Sequence, residues 1–252
     1  MELFSEFAPD HPSPHLRAMR VRDLLSMTTG HETQPDLSAG AAWERCFLGH
    51  PVPYEPGTHF LYNSAASHML SSLVQKLTGE TMLDYLRPRL LAPLGIAHPQ
   101  WNANPHGVTL GGWGLSLCTE EIARFGQLYL QKGAWQGQQL VPESWVEAAT
   151  SRQVSNGDEP LSDWAQGYGF QFWRCCHGAY RGDGKDGQFC VVLPEHDAVI
   201  VMTAETNTMR EQLALVWEKL LPAFHPAPLA ADVESEARLA RMLANLSVRT
   251  SG

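Results

Sequence analysis

The stretch that most constrains this chain is 55–79, EPGTHFLYNSAASHMLSSLVQKLTG. Pro56-Gly57 is a turn signal, and His59-Phe60-Leu61-Tyr62 is an aromatic, extended run. An apolar period at Ala66, Met69, Leu70, Leu73, Val74 and Leu77 then predicts a helix, with Ser64 as its N-cap and Gly79 just past its end. Tyr62 and Asn63 thus stand at the mouth of a buried helix. Polar side chains fixed on such a junction are candidates for chemistry. The plainer reading of the same residues is a core aromatic, Tyr62, followed by a cap, Asn63-Ser64.

With 252 residues, the chain is long enough for one large domain or two intimate ones. Its formal net charge of −9 argues against nucleic acid or an anionic membrane surface as the main partner. No apolar run approaches the length of a transmembrane helix, and MELFSEFAPD lacks the basic and apolar regions of a signal peptide. The five cysteines, Cys46, Cys118, Cys175, Cys176 and Cys190, are odd in number and form no Cys-x-x-Cys. A disulfide framework or zinc site is therefore not expected, and a reducing, cytoplasmic compartment is. His11 and His15 are four apart, but Pro12 and Pro14 forbid a helix that would bring them together as metal ligands. Neither a metal nor a cofactor is expected.

Residues 1–19, with Pro9, Pro12 and Pro14, read as an irregular lead-in. Helices are expected at 20–29, stopped by Gly30, near 41–48, and at 81–91, where Pro88 should kink or end the helix. Residues 98–114 read as surface loop. Thr119 is expected to cap a helix carrying Glu120 and Glu121 in its first turn, and 142–150 is a further helix. From about 166 the period becomes alternating. Strands are expected at 168–173, 188–193 and 198–203, the last two joined by a turn at 194–197. A capping box, Thr208 to Glu211, opens a helix bearing Leu213, Val216, Trp217 and Leu220. The fold class is α+β: a domain over 1–221 with a helical part over 20–165 and an antiparallel sheet over 166–221 carrying a packed helix, then a linker and terminal helix over 222–252. Three strands make a thin sheet.

Gly182-Asp183-Gly184-Lys185-Asp186-Gly187 matches Gly-x-Gly-x-x-Gly, but the residues that follow form a strand, which excludes the nucleotide-binding reading. What remains is a glycine-rich loop whose backbone could approach a ligand, or a plain hairpin turn. Gly114-Leu115-Ser116-Leu117-Cys118 is one glycine short of the nucleophile elbow, so Ser116 reads as a polar loop residue.

Five segments occur in order: VRDLLSMTTGH (21–31), YEPGTHFLYNSAASHMLSSLVQKLTG (54–79), YLRPRLLAPLG (85–95), GGWGLSLCTEEIARFGQLYLQKGAW (111–135) and GDGKDGQFCVVLPEHDAVIVMTAE (182–205). Together they resemble the serine β-lactamase and penicillin-binding-protein superfamily, in its class C-like serine hydrolase branch. That resemblance implies three motifs. Ser-x-x-Lys supplies the acylated serine, Tyr-x-Asn the general base and acid, and Lys-Thr-Gly or His-x-Gly a strand beside the oxyanion hole. Tyr62-Asn63-Ser64 matches the second, with Ser64 where Asn is usual. Asp183-Gly184 stands at the basic position of the third, ahead of Gly187-Gln188, with Lys185 in a different register. An Asp there does not suit a substrate carboxylate, which argues against penicillins. The first motif does not occur. Lys76, Lys132, Lys185 and Lys219 are preceded three residues earlier by Leu73, Tyr129, Gly182 and Val216. In the family that motif and a sheet hairpin precede the segment matching 20–31, so the resemblance implies a fold truncated at its N-terminus.

Three functions follow as expectations. The first is an acyl-transfer hydrolase domain for a small ester or amide, inactive as given for want of its nucleophile. The second is a non-catalytic scaffold of the same fold, forming homo-oligomers through an exposed sheet edge. The third is an unrelated hydrolase using Ser116.

Overall fold

In the computed structural model, which describes residues 2–37, 42–227 and 229–245, Asn63 rather than Ser64 caps the central helix. The Asn63 carboxamide oxygen accepts from Ala65 N at 3.0 Å and Ala66 N at 3.2 Å, and Ser64 is the first helical residue. Asparagine is as good a cap as serine, and here it is the residue with extended backbone (φ −139°, ψ 99°). The start of the helix expected near 41–48, and residues 228 and 246–252 of the linker and terminal helix expected over 222–252, lie outside the described residues.

The chain forms two compact units, Met1–Met209 and Arg210–Gly252. The first opens with 3₁₀ turns over Glu2–Phe7 and then α1 (Pro14–Ala18), so the lead-in is more ordered than its prolines suggested. Ser13 caps α1 and Pro14 takes the first helical position, where a missing N–H costs nothing. Next come α2 (Val21–Leu25), α3 (Trp43–Gly49) and α4 (Ser64–Thr78), the last closed by Gly79 at φ 76°. Ala66, Met69 and Leu73 of α4 pack with Leu24, Met27, Phe47 and Leu48 in the helical core, while Leu77, placed on the same stripe by its spacing, is exposed. Helix α5 (Met82–Leu86) widens into a π turn over Arg87–Leu91, because Pro88 has no N–H to continue the α ladder.

The expected surface loop at 98–114 is partly interior. It holds β1 (Gln100–Trp101), which pairs antiparallel with β2 (Leu115–Ser116), and it buries Asn104, Thr109 and Leu110. Helix α6 (Thr119–Leu130) is capped by Cys118, not Thr119; Glu121 reaches back to accept the Cys118 N–H at 2.8 Å. A small hairpin of β3 (Ala134–Trp135) and β4 (Gln138–Gln139) leads to α7 (Glu143–Thr150).

The main sheet has four strands, not three, in the order β5 (Trp173–Arg174), β6 (Tyr180–Gly184), β7 (Gln188–Leu193), β8 (Ala198–Met202), all antiparallel. The extra strand, β6, runs through the glycines read as a loop: Gly182 pairs with Cys190 and Gly184 with Gln188. Only Lys185-Asp186-Gly187 turns, with Asp186 at φ 62° and Gly187 at φ 92°, a three-residue hairpin loop closed by a left-handed glycine. The expected strand at 168–173 shrinks to Trp173–Arg174, because Gln171 adopts φ 64° and breaks the run. Gly126 of α6 lets the helix lie close on the sheet; a Cβ there would stand 2.5 Å from a Val199 methyl and 2.8 Å from the Cys190 sulfur. The second unit contains most of α8 (Met209–Leu215), then α9 (Val233–Ala244), which Asp232 caps.

Candidate functional site

The junction before α4 is laced to the segment after α2. Leu61 N donates to Met27 O at 2.9 Å, Gly57 N to Thr28 O at 2.8 Å and Tyr54 N to Gly30 O at 3.1 Å. Gly30 (φ 84°) is required there, since a Cβ would lie 2.3 Å from Tyr54 O. Under this lacing sits His31, fully buried, with Nδ1 2.8 Å from Thr29 Oγ1 and 3.5 Å from Asn63 Nδ2. Burial, reinforced by neighbouring His50, lowers the His31 pKa to about 4, so the imidazole is neutral near pH 7. The lacing and the cap hold the backbone on either side of Tyr62.

Tyr62 is 37% exposed, half in and half out of the surface. Its ring centroid lies 5.3 Å from Trp173 of β5 and 6.4 Å from the buried Tyr168. Trp173 stands opposite Arg181 in the β5–β6 register. The Arg181 guanidinium is fully buried among Trp164 (4.6 Å), Trp173 (5.5 Å) and Phe189 (5.7 Å). Its Nε and Nη2 both donate to Asp183 Oδ2, at 3.1 and 2.8 Å, and its Nη1 donates to Asp163 O at 2.7 Å. Arg181 and Asp183 are two apart on one strand and so share a face. Burial pushes the Asp183 carboxyl above its usual range, with Arg181 and a bond from Trp164 pulling the other way. The Tyr62 phenol is raised too, by burial first and then by the Asp183 charge. The resting tyrosine is therefore the phenol, a proton donor.

The other predicted site residues are distributed unevenly. Ser64 is half-buried at the start of α4, its N–H 3.3 Å from Gln34 Oε1. Gly112 packs on it so closely that a Cβ would meet Ser64 O at 2.7 Å. Gly184 continues β6 beside Asp183, while Gly187 and Gln188 begin the return strand and the Gln188 amide donates to Ala204 O. Lys185 is at the hairpin tip, 91% exposed and 3.8 Å from Asp186, so it does not supply the cation of this site. That cation is Arg181, which sequence reasoning missed. Its signal was the i, i+2 spacing to Asp183, legible only once Tyr180–Gly184 is known to be a strand. Ser116 lies exposed on the two-residue β2.

The beta-lactamase family model matches residues 4–221 of this chain. Among curated proteins, the 6-aminohexanoate-dimer hydrolase of Paenarthrobacter ureafaciens is 30% identical over 151 residues, which are 56% of this chain and 38% of that protein. The chain thus spans well under half the length of that relative. Among solved structures, a beta-lactamase from Mycobacterium bovis superposes with a TM-score of 0.59 at 21% identity, covering 93% of this chain and 77% of the other. The octameric penicillin-binding protein homologue of Pyrococcus abyssi gives 0.59 at 15% identity, over 96% and 66%. These likenesses fix the fold as α+β of the β-lactamase and transpeptidase type. The chain belongs to the beta-lactamase family.

Proposed function

We propose that these residues form the proton-handling wall of an acyl-transfer site for a small ester or amide. The reading rests on one observation: Tyr62, pinned by the Asn63 cap, shares a surface with the Asp183-bearing strand through Trp173. The phenol would hand a proton to the leaving group, and backbone N–H groups near 183–186 would receive the oxyanion. The nucleophile belongs to Ser-x-x-Lys, which the 252 residues do not contain. By themselves they therefore bind without forming an acyl-enzyme. An amide substrate is in keeping with the 6-aminohexanoate-dimer hydrolase relative. A reducing cytoplasm suits the five free thiols. Treating the pure protein with a fluorophosphonate probe and taking its intact mass should show no adduct; a stoichiometric adduct on any residue overturns this assignment.

A scaffold role is favoured by one feature. β8, AVIVM at 198–202, is one of the two edge strands of the sheet among the described residues, and it is apolar and free of charge or proline. Such an edge recruits a second strand. Light scattering should then report a dimer that Val201→Lys disperses, and a strictly monomeric wild type removes this reading.

A further inference from the structure

We infer that a cleft beside the C-terminal half of α4 binds a small primary amine in its protonated form, at a place apart from the Tyr62 wall. The cleft lies between the first 3₁₀ turns, the start of α3, α4 and the loop at 106–108. Its volume is about 400 Å³, within the range of small-molecule sites. Its α4 residues, Ser72, Gln75 and Lys76, stand about 12–18 Å down the helix axis from Ser64.

Three of its lining side chains offer acceptors. Glu44, in the first turn of α3, is only 5% exposed, and among the described residues its carboxylate makes no ion pair. Its Oε1 accepts from the neutral Ser72 hydroxyl at 2.7 Å. A carboxylate enclosed without a cation is costly, and a positive ligand relieves that cost. Ser72 Oγ, having given its proton to Glu44, keeps lone pairs only. Three residues on, along the same side of α4, Gln75 Oε1 is buried with no hydrogen-bond partner among the described residues. Three acceptors on three side chains match the three N–H donors of a primary ammonium. The cleft's own lysine is engaged elsewhere: Lys76 is paired with Glu6 and its Nζ sits over the Phe4 ring at 5.1 Å. Phe4, Phe7 and Val108 add an apolar wall for the stem of the amine. A ligand carboxylate would be repelled by Glu44, and an alcohol has one hydrogen to offer three acceptors.

The test uses the 252-residue protein and three probes, benzylammonium chloride, benzyl alcohol and sodium phenylacetate, at pH 7.5 and fixed ionic strength. Calorimetry gives the affinities. The methyl signals of ¹³C-labelled valine, with those of Val108 identified by Val108→Ala, give the place. Benzylammonium should bind about tenfold more tightly than either other probe and move the Val108 signals. Glu44→Gln, which keeps an acceptor for Ser72, should erase that preference, and Glu120→Gln, exposed on α6, should keep it. No saturable binding of benzylammonium, as for a cleft that holds water alone, overturns the inference. So does equal or tighter binding of phenylacetate, binding that leaves Val108 unmoved, or a preference that survives Glu44→Gln. Should Glu44→Gln not fold, the three probes and the Val108 signals on the wild type decide alone. The fluorophosphonate result bears on a different site, so either reading can fail without the other.

Discussion

Arg181→Met is expected to lower the unfolding free energy by about 3–5 kcal/mol, as for other buried ion pairs that lose one partner. The variant leaves the Asp183 carboxylate buried without its guanidinium and takes the donor from Asp163 O. It also empties the space ringed by Trp164, Trp173 and Phe189 of its charge, though not of its volume. The penalty comes chiefly from the orphaned carboxylate, so Arg181→Met with Asp183→Asn should be more stable than Arg181→Met alone. Denaturant unfolding of the wild type and both variants checks this. A loss of under about 1 kcal/mol for Arg181→Met would mean the pair is not the buried pin described.

The second large effect is acid sensitivity through two buried histidines. His31 and His68 both have pKa values lowered to about 4, burial being the main cause, against 6.5 for a free imidazole. The unfolded chain therefore binds more protons than the native one between these values, and stability must fall as the pH drops through that window. At about 1.4 kcal/mol per pH unit the loss approaches about 3 kcal/mol for each histidine at the acid end, and none of it is felt above the free value. The two sites are separately built. His31 supports Asn63, whereas His68 lies edge-on to Trp43 at 4.6 Å and meets Asn104 at 3.4 Å. Urea midpoints measured from pH 7.5 to 4 should slope downward, and His31→Gln or His68→Gln should flatten the slope by about half. Midpoints that stay level across that range contradict neutral burial of the two rings.

The central helix was legible because three independent signals agreed: a turn at Pro56-Gly57, a 3.6-residue apolar period and a terminal glycine. Which polar residue caps it was not, since Asn63 and Ser64 cap about equally well and the choice depends on which takes extended backbone. The hairpin at 188–202 was plain from alternation. Strand β6 was hidden because its glycines at 182 and 184 remove the side chains that carry an alternating pattern, and a match to a nucleotide-binding fingerprint drew attention to the loop instead. Missing that strand concealed Arg181, and with it the reason Asp183 can be buried. Gln171 cut the first residues from β5 through its left-handed backbone, held by its own bonds to Ser67, Leu24 and Leu25; no local pattern announces such a tertiary anchor.

Everything proposed for the site requires that Tyr62 and Asp183 feel one another across the aromatic wall. Carbon-13 labelling of tyrosine at Cζ, with Tyr62→Phe to identify the signal, reads the phenol directly. Tyr62 should ionise above the free value of 10.0, and Asp183→Asn should bring it down. A Tyr62 that titrates at or below that value, or one that ignores Asp183→Asn, contradicts the account.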